Sequence, residues 1–155
     1  MRKNQRGFTL VEILIVVCLV GIIASFSVAR GARARVRTQN AMAQRHIASY
    51  VTTARTAAMQ RGAMVTLRIN ADSVWITADS LGTELPLRPA LFLSRYYTVS
   101  TSTTVAAVPF SPRGYAPSLP QTGARFVVVP AVSGYAISDT VCVGRTGKVR
   151  TRGCA

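Results

Sequence analysis

The sequence predicts an α+β protein in which one long N-terminal helix precedes a globular, antiparallel β-sheet domain. The first proline of the chain is Pro86, so no proline interrupts a helix over residues 8–62. After Gly62 the apolar pattern changes from helical spacing to short β-rich runs that are separated by turn residues. One helix followed by consecutive strands, without helices between the strands, favours antiparallel pairing.

The first part of this helix is apolar enough to span a membrane. Residues 8–29 carry one charge, Glu12, and a helix of this length would be about 33 Å long, enough to cross a bilayer core. A carboxylate there is costly, so Glu12 is either a functional group inside an assembly or an interfacial residue at the helix N-terminus. An ordinary secretory signal cleaved near residues 24–29 is the alternative, but this apolar run is longer than such signals have.

Residues 30–62 predict an amphipathic helix that continues this span. Its apolar side chains recur at helical spacing, as seen at Ile47, Val51, Ala54 and Ala58. Gly62 is the expected end of the helix. The small alanine side chains in this stripe favour close packing of the helix on a sheet.

The remaining residues, 63–155, predict a β-rich domain. Residues 70–73, Asn-Ala-Asp-Ser, are turn formers, whereas residues 78–90 contain Gly82, Pro86 and Pro89 and predict a loop. We expect strands over residues 64–69, 74–77, 91–99, 103–108, 126–129, 135–137, 140–143 and 148–152.

The composition excludes most catalytic chemistry and indicates an anionic partner. The chain has 19 Lys and Arg, 5 Asp and Glu, one His and a net charge of +14. With so few acids and one His, we expect neither an enzyme, nor a metal site, nor a cofactor. The positive charge favours nucleic acid or lipid headgroups, and charge alone does not distinguish them.

Residues 6–12, Arg-Gly-Phe-Thr-Leu-Val-Glu, resemble the class III signal of type IV prepilins and type II secretion pseudopilins. The resemblance implies that prepilin peptidase cleaves between Gly7 and Phe8, removing residues 1–7 as a leader, and that Phe8 is then N-methylated. It also implies that Glu12 meets the terminal amine of a neighbouring subunit during assembly. Cations flank both ends of the apolar run, so the positive-inside rule leaves its orientation open. The resemblance implies a single-pass protein of the bacterial inner membrane with a periplasmic globular domain.

Three further segments resemble the GspH/FimT family of minor pilins: residues 54–62, 109–114 and 146–150. The resemblance implies a type IV pilin fold and a structural subunit that assembles with other pilins. The first hypothesis is that the chain is a minor pilin of a type IV pilus-like filament and that it binds DNA during natural transformation. The alternatives are a minor pseudopilin of a type II secretion system and a membrane-anchored periplasmic binding protein that does not assemble.

Two cysteines of the predicted periplasmic part form a candidate disulfide. The resemblance implies that Cys142 and Cys154 lie in the periplasm, which is an oxidising compartment where two cysteines can pair. Cys18 lies in the apolar run, where we expect it to act as a small apolar residue.

A basic C-terminal region is the candidate DNA-binding site. In an extended strand, Lys148, Arg150 and Arg152 would project from one face about 6.6 Å apart, a row that suits a phosphate backbone. Residues 147–150, Gly-Lys-Val-Arg, resemble the Gly-Arg-x-Arg motif of DNA-binding FimT-type pilins, except for Lys148. The candidate region is completed by three further arginines, Arg113, Arg125 and Arg145. The alternative is a solvated or lipid-facing surface whose cations protect a sheet edge from aggregation.

Overall fold

The structure is a computed structural model that describes residues 9–80, 82–132, 134, 137–151 and 154, and for residues 26–30 the backbone. The chain divides into two compact units, with the boundary between Arg35 and Val36. The element α1 is a helix over Leu10–Arg61 that begins in the first unit and ends in the second. The cleavage and methylation sites predicted at Gly7 and Phe8 lie outside the described residues.

The first unit contains the N-terminal turns of α1. Thr9 precedes the helix, and its Oγ1 accepts a hydrogen bond from the backbone N–H of Glu12 at 3.3 Å. The same N–H group also donates to the backbone carbonyl of Thr9 at 3.1 Å, so both oxygens of Thr9 help to close the first turn of α1. Glu12 is exposed in the first turn, where its charge is favourable beside the helix N-terminus.

Among the described residues, no helix is both long and apolar enough to cross a membrane. The span predicted for residues 8–29 stays a prediction.

In the second unit, α1 presents the predicted apolar stripe to the core. Ile47, Val51, Ala54 and Ala58 are completely buried, which confirms the helical periodicity. The helix ends at Arg61, and Gly62 follows with φ +63°. A left-handed residue after the last turn is a frequent helix stop, and glycine adopts it without steric cost.

In the part of the chain that the structure describes, eight strands and one short helix follow α1. They are β1 (Val65–Ile69), β2 (Ser73–Ser80), β3 (Thr83–Phe92), α2 (Leu93–Tyr97), β4 (Val99–Thr103), β5 (Ala107–Phe110), β6 (Ala124–Pro130), β7 (Asp139–Val143) and β8 (Val149–Arg150). The strands form two four-stranded antiparallel sheets, of order β3-β2-β1-β5 and β4-β6-β7-β8. Their inward side chains, among them Leu67, Phe110 and Phe126, join the stripe of α1 in one buried cluster. The predicted α+β class with antiparallel sheets is confirmed.

The predicted hairpin between β1 and β2 is present, but the loop predicted after it is wrong. Asn70 Oδ1 accepts hydrogen bonds from the N–H groups of Asp72 and Ser73, which closes the turn. Residues 83–92 form β3 despite Pro86 and Pro89. Because β3 is an edge strand, the missing N–H groups of the two prolines cost little there, and register shifts between β2 and β3 take up the irregularity.

The strand predicted over residues 91–99 is also wrong, because α2 interrupts it. A distant turn caps this helix: Asp72 Oδ1 accepts the N–H of Ser94 at 2.9 Å, and the Asp72 carbonyl accepts the N–H of Leu93. Leu93 is completely buried, and Thr98 ends the helix at φ +51°. These tertiary contacts outweigh the β preference of the aromatic residues in this segment.

The strands predicted over residues 64–69, 74–77, 126–129 and 140–143 are confirmed as β1, β2, β6 and β7, whereas the remaining ones are shifted or shortened. The strand expected over residues 103–108 is β5, at Ala107–Phe110. The strand expected over residues 135–137 falls largely outside the described residues. The last strand, β8, is limited to Val149–Arg150, so the straight row expected along residues 148–152 is wrong in extent. A tight turn, closed by hydrogen bonds from Gly144 to Lys148 and from Gly147 to Gly144, precedes β8.

Candidate nucleic-acid interface

Cys142 and Cys154 form a disulfide, with their Cα atoms 5.7 Å apart and a separation of 12 in sequence. The predicted pairing is confirmed. Cys142 belongs to β7, so the bond attaches the C-terminal end of the chain to an inner strand of its sheet.

Two arginines flank this disulfide on the outer face of the sheet. Arg125 of β6 is the register partner of Cys142, and Cys142 is the register partner of Arg150 in β8. Register partners point to the same face, and strands lie about 4.8 Å apart, so the Cα atoms of Arg125 and Arg150 are separated by about 10 Å. Val141 and Val143 alternate with Cys142 and are buried on the opposite face.

A cavity of about 190 Å³ opens beside the disulfide. Lys148 and Arg150 line it, together with the polar side chains of Gln121, Thr122 and Thr146. Lys148 and Arg150 are both exposed, and none of the described residues that line the cavity is acidic. The wall therefore offers cations and neutral hydrogen-bonding groups to an anion.

The turn before β8 packs on a second turn that carries Arg113. The backbone N–H of Ala116 donates to the carbonyl of Arg145 at 2.8 Å, and Arg145 Nη2 donates to the carbonyl of Pro117 at 3.3 Å. A side chain at Gly147 would overlap the carbonyl oxygen of Gly114. These contacts bring the turn of Arg113 against the turn of Arg145, as the sequence interpretation required.

Side chains of α1 hold the C-terminal segment in place. Gln44 Nε2 donates to the carbonyls of Thr140 at 2.9 Å and Thr151 at 2.6 Å. Eleven residues further along the helix, Arg55 Nη1 donates to the carbonyl of Gly147 at 3.4 Å. Eleven residues are close to three full turns, so both side chains leave the same side of α1.

Gln44 and Arg55 were not among the predicted site residues. By helical spacing, Arg55 falls on a face other than that of the buried stripe, so the periodicity alone does not mark it as a site residue. The signal that would have found them is the recurrence of long polar side chains at a spacing of eleven beside the buried stripe.

The acidic side chains lie mostly elsewhere. Asp72, Asp79 and Glu84 belong to the first sheet and its turns, where Glu84 forms an ion pair with Arg68 (Nε–Oε2 3.2 Å). Asp139 begins β7, at the end opposite the cavity. Among the residues that the structure describes, no group of three His, Cys, Asp or Glu side chains is arranged to hold a metal ion.

The structure thus brings together most of the predicted basic residues. Arg125 and Arg150 lie on the outer face beside the disulfide, and Lys148 and Arg150 line the cavity. Arg113 and Arg145 occupy the two adjoining turns. All five side chains are exposed. Arg152 lies outside the described residues, and Glu12 belongs to the other unit.

The fold and the comparisons identify the class of this protein. A long N-terminal helix that buries its second half under two antiparallel sheets is the architecture of pilin-like filament subunits. A family model of the prokaryotic N-terminal methylation motif matches residues 2–28, and the model of the type II transport protein GspH matches residues 43–147. The chain belongs to the GspH family.

Solved structures with the same fold are minor pilins and pseudopilins. The type IV minor pilin FimU of Pseudomonas aeruginosa is 15% identical, with a TM-score of 0.53 over 83% of this chain and 93% of that chain. The minor pseudopilin EpsH from the type 2 secretion system of Vibrio cholerae is 9% identical, with a TM-score of 0.60 over 74% of this chain and 96% of that chain. No curated protein matches the sequence.

The predicted resemblance is confirmed, and so is the prediction of a structural subunit that is not an enzyme. Membership of this family implies processing by prepilin peptidase and assembly with other pilins or pseudopilins.

Proposed function

We propose that the chain is a minor pilin of a type IV pilus-like filament and that its basic C-terminal region binds the phosphate backbone of double-stranded DNA during DNA uptake. The observation that carries the proposal is the face on which Arg125 and Arg150 flank the disulfide. Lys148 lines the adjoining cavity, where the lining residues that the structure describes include no acid.

The geometry suits phosphates more than base edges. The cations are spread over a sheet face and two turns, whereas reading of bases in the major groove requires an inserted helix or β-ribbon. Contacts of this kind neutralise phosphates and release counterions, which gives binding that is insensitive to sequence and strongly dependent on salt. The side chains of Gln44 and Arg55 donate hydrogen bonds to backbone carbonyls of the basic segment and hold it in place. The segment therefore loses little conformational entropy when it binds DNA.

The salt dependence of duplex binding tests this proposal. We would titrate a fluorescent duplex with the full chain in neutral detergent at several salt concentrations. In the double variant Lys148→Ala with Arg150→Ala, we expect weaker binding and a slope of log K against log salt that is reduced by about 2. The matched control, Arg61→Ala with Arg95→Ala, removes the same charge from exposed positions elsewhere. Equal affinity and slope in both double variants would mean that the basic residues of β8 only protect the sheet edge.

The proposal for the N-terminus is that residues 1–7 are removed between Gly7 and Phe8, and that Phe8 is N-methylated. Residues 8–29 then pass from the inner membrane into the filament core, with Glu12 meeting the terminal amine of a neighbour. The match to the N-terminal methylation motif supports this. Gly7→Ala should leave the full-length precursor in membranes, as seen by mass spectrometry of the N-terminus. Normal processing of that variant would contradict the assigned cleavage site.

A minor pseudopilin of a type II secretion system is the second candidate. It is favoured by the GspH family match and by the similarity of the fold to EpsH. A deletion strain separates the candidates: loss of DNA uptake with normal secretion supports the pilus, and the reverse supports the pseudopilus. A subunit that never co-purifies with filaments would support the third candidate, a periplasmic binding protein that does not assemble.

A further inference from the structure

A second cavity, of about 340 Å³, lies between α1, β3 and α2. It shares no lining residue with the cavity beside the disulfide. Its volume falls in the range of about 300–1,000 Å³ that is typical of small-molecule sites. Its distinctive lining residues are three tyrosines, one histidine and one arginine: Tyr50, Tyr96, Tyr97, His46 and Arg88. The proposed DNA contact does not use this cavity.

The cation of the cavity is fixed in orientation. The guanidinium carbon of Arg88 lies 4.5 Å from the centroid of the Tyr50 ring, and the Tyr50 hydroxyl donates to the carbonyl of Pro89 at 2.9 Å. A guanidinium stacked on a ring keeps its N–H groups available at its edge, where they match the two oxygens of a carboxylate. Among the described lining residues, no acidic side chain competes for these donors.

The aromatic side chains form a corner and not a slot. The hydroxyl of Tyr97 and Nδ1 of His46 are hydrogen-bonded at 2.6 Å, and the two rings meet edge to face at 84°. The ring of Tyr96 is tilted by 48° from that of Tyr97, and the residue is 60% exposed. Burial, with smaller effects of the neighbouring phenols, raises the pKa of Tyr97, which keeps its hydroxyl protonated at neutral pH.

We propose that this cavity binds a sugar ring that carries a carboxylate, such as a uronate unit of an acidic polysaccharide. The apolar C–H face of a pyranose packs against the exposed ring of Tyr96, and the carboxylate receives the N–H groups of Arg88. His46, Tyr97 and the backbone carbonyls of β3 are the hydrogen-bonding groups near the sugar hydroxyls. This inference goes beyond the proposed DNA contact and does not depend on it.

The geometry disfavours a stacked nucleobase in the same place. A planar base is held best between two parallel ring faces. The exposed ring of Tyr96 is tilted by 48° from that of Tyr97, so these two rings form no such slot. Here the rings of His46 and Tyr97 are nearly perpendicular, and one face of Tyr50 is covered by Arg88. A chair-shaped sugar ring suits this arrangement, because its apolar face can pack on one aromatic ring while the polar groups at its edge meet hydrogen-bonding side chains.

Calorimetric titration of the full chain in neutral detergent with trigalacturonate tests the proposal. We expect saturable binding, and affinity at least about tenfold lower for the uncharged trisaccharide galactotriose. Arg88→Gln and Tyr96→Ala should each lower the affinity for trigalacturonate at least about tenfold. The matched controls, Arg95→Gln and Tyr115→Ala, change exposed residues of the same types outside the cavity and should bind as the parent does.

Two further arms exclude attraction by net charge alone. The variant Lys148→Ala with Arg150→Ala should retain full affinity for trigalacturonate, because neither residue lines this cavity. Oligothymidylate of matched charge should not compete for the site. Unchanged affinity in Arg88→Gln, equal loss in the controls, absence of binding, or displacement by oligothymidylate would overturn the proposal.

Discussion

Arg55 of the long helix donates a hydrogen bond from Nη1 to the carbonyl oxygen of Gly147, in the turn that precedes the last strand. Arg55 Nε, on the same side chain, would lie 2.9 Å from a Cβ at Gly147. The turn therefore fits between the helix and the neighbouring turn only because residue 147 has no side chain.

Gly147→Ala is expected to be strongly destabilising. Gly147 has φ +73°, and a left-handed alanine costs about 1–2 kcal/mol. Overlap with Gly114 and Arg55 adds about 1–3 kcal/mol. Gly62→Ala is the matched control, because Gly62 has φ +63° with no atom within 4 Å of its added Cβ. Chemical denaturation should show the larger loss in the free energy of unfolding for Gly147→Ala; equal losses would mean that the turns separate easily.

Gln44→Ala should loosen the C-terminal segment. The side-chain amide donates to the carbonyls of both Thr140 and Thr151, and its removal leaves the partly buried carbonyl of Thr140 and the exposed carbonyl of Thr151 without that donor. We expect a loss of about 1–3 kcal/mol in the free energy of unfolding. Gln60→Ala, at an exposed position of the same helix, should change it by less than about 0.5 kcal/mol. Amide hydrogen exchange near residue 151 should be faster in Gln44→Ala than in Gln60→Ala. Equal exchange rates there in both variants would mean that Gln44 does not hold the C-terminal segment.

Reduction of the disulfide should destabilise the second unit. Its loop of 12 residues corresponds to about 3 kcal/mol in the chain-entropy description. The melting temperature of the parent should fall on addition of a phosphine reductant, whereas Cys142→Ser with Cys154→Ser should melt at the lower temperature with or without reductant. Cys18→Ser should behave as the parent, because Cys18 is free and lies in the first unit. A melting temperature independent of reductant in the parent would contradict the prediction.

The cap that Asp72 provides to α2 should make stability depend on acid pH. Hydrogen bonds from the side chain and the backbone of Ser94 lower the pKa of Asp72, with a small opposing effect of desolvation. A carboxyl with a lowered folded-state pKa contributes stability that is fully present above its unfolded pKa, about 3.9, and is lost as the pH falls through the folded-state value.

Asp72→Asn isolates the charge in this cap, because the amide oxygen still accepts a hydrogen bond. Its melting temperature should be below that of the parent at pH 7, and the difference should shrink between about pH 4 and pH 2. Asp72→Ala, which also loses the acceptor, should stay below the parent at both pH values. A difference between Asp72→Asn and the parent that is constant with pH would contradict the role of the charge.

The sequence predicted the parts of the fold that depend on regular spacing. Ile47, Val51, Ala54 and Ala58 recur at helical intervals, and their burial follows directly from that period. The turn at Asn70 follows from the chemistry of one side chain that satisfies its own backbone. Both signals depend on neighbouring residues alone, so they can be recognised in the sequence before the arrangement of the sheets is known.

The errors arose where a distant contact decides the structure. Pro86 is tolerated because β3 lies at a sheet edge, and α2 forms because Asp72 caps it from another turn. For the candidate site, the local motif at residues 147–150 indicated the cations. Arg125 lies in line with Arg150 because both are register partners of Cys142. No local sequence pattern specifies this strand register.

The covalent bond between Cys142 and Cys154 determines how this end of the molecule responds to mechanical tension. A strand of two residues, such as β8, peels away under a small load, because few hydrogen bonds hold it. Lys148 and Arg150 lie six and four positions before Cys154, so a pull on either residue can extend the chain on that side by no more than about 20 Å before the bond becomes taut. The load then passes to β7, an inner strand, so whatever is attached at this end stays tethered while the sheet bears the force.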